Sequence, residues 1–297
     1  MGSEGEPGPG SEAPSQKAAA PRDGPVDADS LRGYHFRRLI GRPVVLILIG
    51  VLVVAAGTAC AIFVSALIGA GAAFLVLLLA LLVVLVVADS RAADSFFAAY
   101  AQERGMELNG RSPLPAVTPL LEKGDDRYAE RSLSGPLADG VEGILALYTY
   151  EEESTDSEGN RETNYYRYTV GMVEVPECSK FIPELFCRQK FGLRSLEKVE
   201  DVFRRSKERV KLESEALDKK YEIFVDKGQD NVWLRRLFSP TFIVWLTDGA
   251  PRKFAFELVG GNLCCYVHGH EQKAEELDAM RAASAAVAGR LREESLE

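Results

Sequence analysis

Cys264, Tyr266, His268 and His270 stand at alternate positions, so on a strand their side chains share one face. Thiolate and imidazole at such alternate positions are donor types that hold zinc or copper. Three ligands from one strand give awkward geometry, and His268 and His270 flank Gly269, where a strand should end. Packing is the preferred reading of this row, and no metal site is assigned. Cys265 as a nucleophile would need an orienting base, and none can be named. Tyr165 and Tyr166 with Arg161 and Arg167 could stack a ligand, but aromatic residues on strands more often pack on their neighbours. The chain has no phosphate-binding glycine loop, nucleophile elbow or metalloprotease helix. No catalytic residue, cofactor-binding residue or cofactor is assigned, and the balance leans away from an enzyme.

The elements that must position these residues read as an α+β domain with an antiparallel sheet. Lys253–Val259 and Asn262–Val267 flank Gly260-Gly261, a two-residue hairpin connection. Val141–Glu151 and Asn164–Val175 alternate around a polar loop and form a second hairpin. Val210–Leu212 and Tyr221–Val225 read as strands, while Phe181–Phe186 is apolar but of open type. Asp230 can cap a helix through Phe238, and Ser239-Pro240 is a strong helix start. The helix after it is apolar almost all round, which predicts burial. Residues 108–140 are rich in Pro, Gly and Ser and read as irregular, with a helical turn near Pro119–Glu122. The α+β domain is set at 108–270, followed by an amphipathic helix at 271–294. That helix carries a stripe of Leu277, Met280, Ser284, Val287 and Leu291, expected to dock on the sheet.

Upstream, Pro43 to Ala88 contains no Asp, Glu, Lys, Arg or His. A single helix of that length would reach about 70 Å, against a hydrocarbon core of about 30 Å. The run therefore predicts a transmembrane hairpin, with helices at 43–64 and 69–88 and a turn within Ser65–Gly71. Gly57 with Ala61, Ala66 with Ala70, and Gly69 with Ala73 could let the two helices approach closely. No ionisable group lies inside, so an ion path has no support. Arg32, Arg37, Arg38 and Arg42 precede the run and Arg91 follows it, which places both termini in the cytoplasm of a multi-pass cell-membrane protein. Residues 89–107 continue as a stalk helix that carries the domain away from the bilayer.

Residues 1–30 have the composition of a disordered tail rather than a signal peptide, and 31–42 form a basic juxtamembrane segment. Charges in these two segments balance, so the net charge of −9 resides after the hairpin. Such an acidic domain disfavours nucleic acid and anionic lipid surfaces. Five cysteines without a C-x-x-C pair fit neither a disulfide framework nor a structural zinc site.

The segment Val210 to Asp226, then Leu237-Phe-Ser-Pro-Thr241, Phe254–Val259 and Leu263–Val267, resembles the bacterial two-helix membrane protein family catalogued as a domain of unknown function, number 3137. The resemblance covers residues 90–270 and rests on structural motifs. It implies the same hairpin and sheet and brings no functional residue with it. The acidic loop Glu151–Thr163 and the Cys264-Cys265 pair are not features of that family.

The expected function is a membrane-anchored cytoplasmic binding or scaffolding module. Its partners are the lipid bilayer and another membrane or cytoplasmic protein. The alternatives are a membrane-tethered enzyme and an accessory subunit of a transport complex packed through Gly57 and Ala61. A closed barrel with a ligand-sized mouth would favour ligand binding. A flat sheet covered by helices would favour scaffolding.

Overall fold

The apolar run leads into one long helix, α1 (Ala66–Glu103), in a computed structural model that describes residues 47, 49–55, 58, 66–155, 159, 161–190 and 207–296. Within the described residues, Phe74–Glu103 is the one helical stretch long and apolar enough to cross a membrane, by length and composition. Its two halves meet different surroundings. Phe74 is 63% and Leu82 58% exposed, whereas Ala92, Phe96, Phe97, Tyr100 and Ala101 are buried.

The helix runs without a break past Asp89, as the expected stalk helix would, and its last turns join the core formed with Leu133, Leu137 and Leu147. The cause is the recurrence of Phe96, Phe97 and Tyr100 on one face, which finds an apolar sheet to cover. The expected turn differs, because Ala66 to Gly71 are already helical. Of the expected first span, residues 47, 49–55 and 58 are described, and they are helical. Gly57, Ala61, the tail 1–30 and the segment 31–42 lie outside the described residues.

The domain is built on a nine-stranded antiparallel sheet in the order β1-β2-β3-β4-β9-β8-β5-β7-β6. Its strands are β1 (Glu107–Asn109), β2 (Asp126–Ala138), β3 (Val141–Thr155), β4 (Arg161–Glu174), β5 (Glu184–Gln189), β6 (Lys207–Val210), β7 (Tyr221–Asp226), β8 (Ala255–Val259) and β9 (Asn262–His268). Among the described residues β1 and β6 are the two edges, and the sheet they bound is open. Both expected hairpins are present. Ile144 pairs with Met172 through to Thr155 with Arg161, and Val259 pairs with Asn262. Gly260 and Gly261 have φ of 55° and 84°, the positive values a two-residue connection requires.

β2 is the main element that composition concealed. Its Pro136 sits at a register shift against β3, where a missing N–H breaks no ladder bond. The Asp139-Gly140 turn joins β2 to β3 and is the sequence signal for that pairing. α2 (Pro119–Glu122) forms where the helical turn was expected. α3 (Glu215–Lys220) separates β6 from β7.

Asp230 caps α4 (Asn231–Leu237) by accepting from the Val232 N–H, and Ser239 caps α5 (Pro240–Val244) by accepting from the Phe242 N–H. α5 is not wholly buried. Phe242 and, in the following π turn, Leu246 face the core, while Val244 is exposed.

α6 (Ala274–Leu296) lies across one face of the sheet. All five residues of its stripe are buried, and the helix approaches closely at Gly171. A Cβ at Gly171 would overlap the Ser284 hydroxyl and lie 2.9 Å from the Ser284 Cβ. Tyr100 of α1 and Arg104 just after it both donate to Asp278 of α6, at 2.9 Å and 2.6 Å, tying the end of the long helix to the helical layer.

Candidate functional site

The opposite face of the sheet carries the polar groups. By the pairing of β8 with β9 and β5, the side chains of Phe186, Arg188, Glu257, Cys264 and Tyr266 all project from it. It is covered in part by α2 and the segment before it, with Leu114, Val117, Leu120 and Leu121 packing on Tyr148, Tyr150 and Tyr168. Beneath this cover lies Glu257, 1% exposed in the middle of an otherwise apolar strand. Its carboxylate accepts from the Leu120 N–H at 3.0 Å, from Arg188 at 3.3 Å and from the Tyr266 hydroxyl at 3.5 Å. The Tyr148 hydroxyl donates to the Leu120 carbonyl at 3.3 Å, fastening the same turn.

Lys123 ends this turn, 8% exposed, and its ammonium has no hydrogen-bond partner among the described residues. Burial and the nearby Arg188 lower its pKa to about 8. The cluster therefore sets Lys123 and Arg188 beside one carboxylate, and Glu257 is the anion that holds α2 against the sheet. Sequence reasoning missed these residues. The available signal was a lone acid in Phe254–Val259 and a lone base in Glu184–Gln189, two strands otherwise largely apolar.

The row at Cys264 divides. Cys264 and Tyr266 are buried on this face, and burial holds the Cys264 thiol well above its ordinary value. His268 packs edge-on against Tyr168 at 5.3 Å. Gly269 then takes φ of 101° and breaks the alternation. His270 ends near Thr149, on the other face, with Nε2 3.3 Å from the Thr149 hydroxyl and 3.1 Å from the Tyr148 carbonyl. Its Nδ1 lies 3.7 Å from Glu130, and burial lowers its pKa. The four residues do not converge, and among the described residues no three His, Cys, Asp or Glu side chains group as metal ligands.

Cys265 lies under α6, fully buried, with its thiol kept neutral by desolvation. Tyr166 stacks on Tyr150 at 4.8 Å, whereas Tyr165 points to the opposite face with Arg167 5.8 Å from its ring. The suggested aromatic-arginine set is thus split between two faces by the two-residue period of β4.

A cavity of about 630 Å³ is lined by Pro115 and Val117 of the covering segment together with Ile144, Met172 and Leu263. Arg292 of α6 reaches its rim and donates to the carbonyls of Gly140 and Glu174 at 3.3 Å and 3.0 Å. The arrangement can receive an apolar group at the border of the covering segment. No family model, curated protein or solved structure matches this chain.

Proposed function

We propose that this chain is a membrane-anchored binding module of the scaffolding kind, with a two-helix hairpin in the bilayer, both termini cytoplasmic and the acidic sheet domain at the cytoplasmic face. The observation that carries this reading is α1, whose bare apolar half passes without a break into turns buried in the domain core. An exposed run from Phe74 to Val86 is too apolar for water and suits lipid. A helix fixed at its far end transmits the orientation of the anchor to the sheet. The open sheet, helix-covered on one face, fits a scaffold better than a ligand-holding barrel. Kinship with the bacterial two-helix family of unknown function is part of this proposal and rests on the segments between Val210 and Val267.

The test joins topology to partnership. Alkaline phosphatase fused after Glu297 should be inactive in cells, and the chain should resist extraction from membranes by carbonate. Crosslinking of the full chain followed by purification in detergent should retain a defined partner. An active fusion overturns the topology, and a clean monomer overturns the scaffolding role.

A further inference from the structure

We propose that the outer ends of β3 and β4 form an interaction arm, whose free β4 edge takes an added strand from a basic, extended polypeptide at the membrane surface. The arm is a two-stranded ribbon. β2 last pairs at Glu151, and β9 last pairs at Tyr168, so among the described residues the rungs from Glu152–Asn164 to Thr155–Arg161 have no third strand.

Its two edges differ. On the β3 side, the Asp125 N–H donates to the Glu151 carbonyl and the Asp125 carboxylate accepts from the Glu153 N–H, both at 2.8 Å. On the β4 side the last bond runs from the Gly269 N–H to the Arg167 carbonyl at 2.8 Å. Backbone groups alternate with a period of two, so those of Tyr165, Thr163 and Arg161 point the same way. Among the described residues, no backbone group meets them. Such an edge is a template for strand addition.

Charge selects the partner. Glu162 on β4 and Glu151, Glu152 and Glu153 on the adjoining β3 outnumber Arg161 and Arg167 on β4. Antiparallel pairing of two such edges about Asn164 would set Arg161 against Arg167, which disfavours a second copy. The same carboxylates repel anionic headgroups.

Position supplies the setting, and this step rests on the membrane-anchored reading. β2 runs alongside the end of α1, with Arg131 2.7 Å from Asp94 and Gly135 against Met106. Moving along β3 from Leu147 toward Thr155 is thus moving back along α1 toward its apolar half. The arm therefore points back along α1 toward the membrane surface, where cytoplasmic segments of neighbouring spans are rich in Lys and Arg.

The test uses the full chain in detergent micelles and a fluorescent peptide of about eight residues alternating Lys and Val. Fluorescence anisotropy should show binding that Thr163→Pro and Tyr165→Pro each weaken at least ~tenfold. Both substitutions remove an N–H that points away from β3. Neutralising the arm with Glu152→Gln, Glu153→Gln and Glu162→Gln, which leaves the backbone unchanged, should also weaken binding. A peptide alternating Glu and Val should not bind. The proposal is overturned if the Lys peptide fails to bind, if it binds both proline variants as well as the parent, or if the chain in nanodiscs captures phosphatidylserine vesicles instead of the peptide. A chain that leaves the membrane in carbonate yet still binds the Lys peptide refutes the anchoring and retains the edge.

Discussion

Glu257 is a single carboxylate on which several groups depend. It satisfies the Leu120 N–H, an end of Arg188 and the Tyr266 hydroxyl in a place water does not reach. Glu257→Gln would remove a buried negative charge from beside Arg188 and Lys123 and should cost about 3 kcal/mol of stability, read as a lower urea midpoint at unchanged slope. A change under about 0.5 kcal/mol would show that the cluster does not hold α2 in place.

Lys123 contributes with the opposite sign. Its pKa falls from the ordinary 10.5 to about 8 in the fold, so between those values the unfolded chain binds more protons and stability rises with pH. Below pH 8 both states are protonated and the whole penalty remains. Lys123→Met should therefore be neutral or stabilising at pH 7. The variant should also lack the gain that the parent shows from pH 8 to 9.5, measured as the difference in urea midpoint.

The helix–sheet contact at Gly171 governs the next scale. α6 is held down by a stripe whose Leu277, Met280, Val287 and Leu291 each contribute about 1.5–3 kcal/mol by burial. It sits low enough on β4 that only a glycine fits beneath Ser284. Gly171→Ala should lift α6 and cost about 2–4 kcal/mol, with Ser284→Gly restoring part of the loss in the double variant. Thermal unfolding of the three proteins checks this, and additive losses would exclude a direct clash. The stripe itself was legible from its spacing. The clash was not, because Gly171 and Ser284 come together only when β4 and α6 pack. Similarly, β2 was hidden by Gly135 and Pro136, residues that argue against a strand until a partner supplies the pairing.

For the molecule as a whole, the question is where the anchor stops and the domain begins. Phe96, Phe97 and Tyr100 are core residues, so the folded unit starts before the apparent end of the anchor. A truncated chain starting at Ser90 should be soluble and unfold cooperatively. One starting at Glu107 should aggregate, because it exposes the sheet face that those three side chains cover. Size-exclusion chromatography and a urea titration of both would decide, and a well-folded product from Glu107 would show that α1 merely lies against the domain.

Local pattern alone determined a good deal. The uncharged run, both glycine- or loop-linked hairpins, the caps at Asp230 and Ser239, and the docking stripe of α6 each depend on residues close in sequence. Their physics is complete within one turn or one pair of strands. Tertiary structure alone decided the rest. It placed Glu257, Arg188 and Lys123 together from three separate segments, and it turned His270 away from Cys264 through the positive φ of Gly269. It also joined the end of the long helix to the core. Each of these depends on which face a residue meets once distant strands have paired, and no spacing along the chain encodes that.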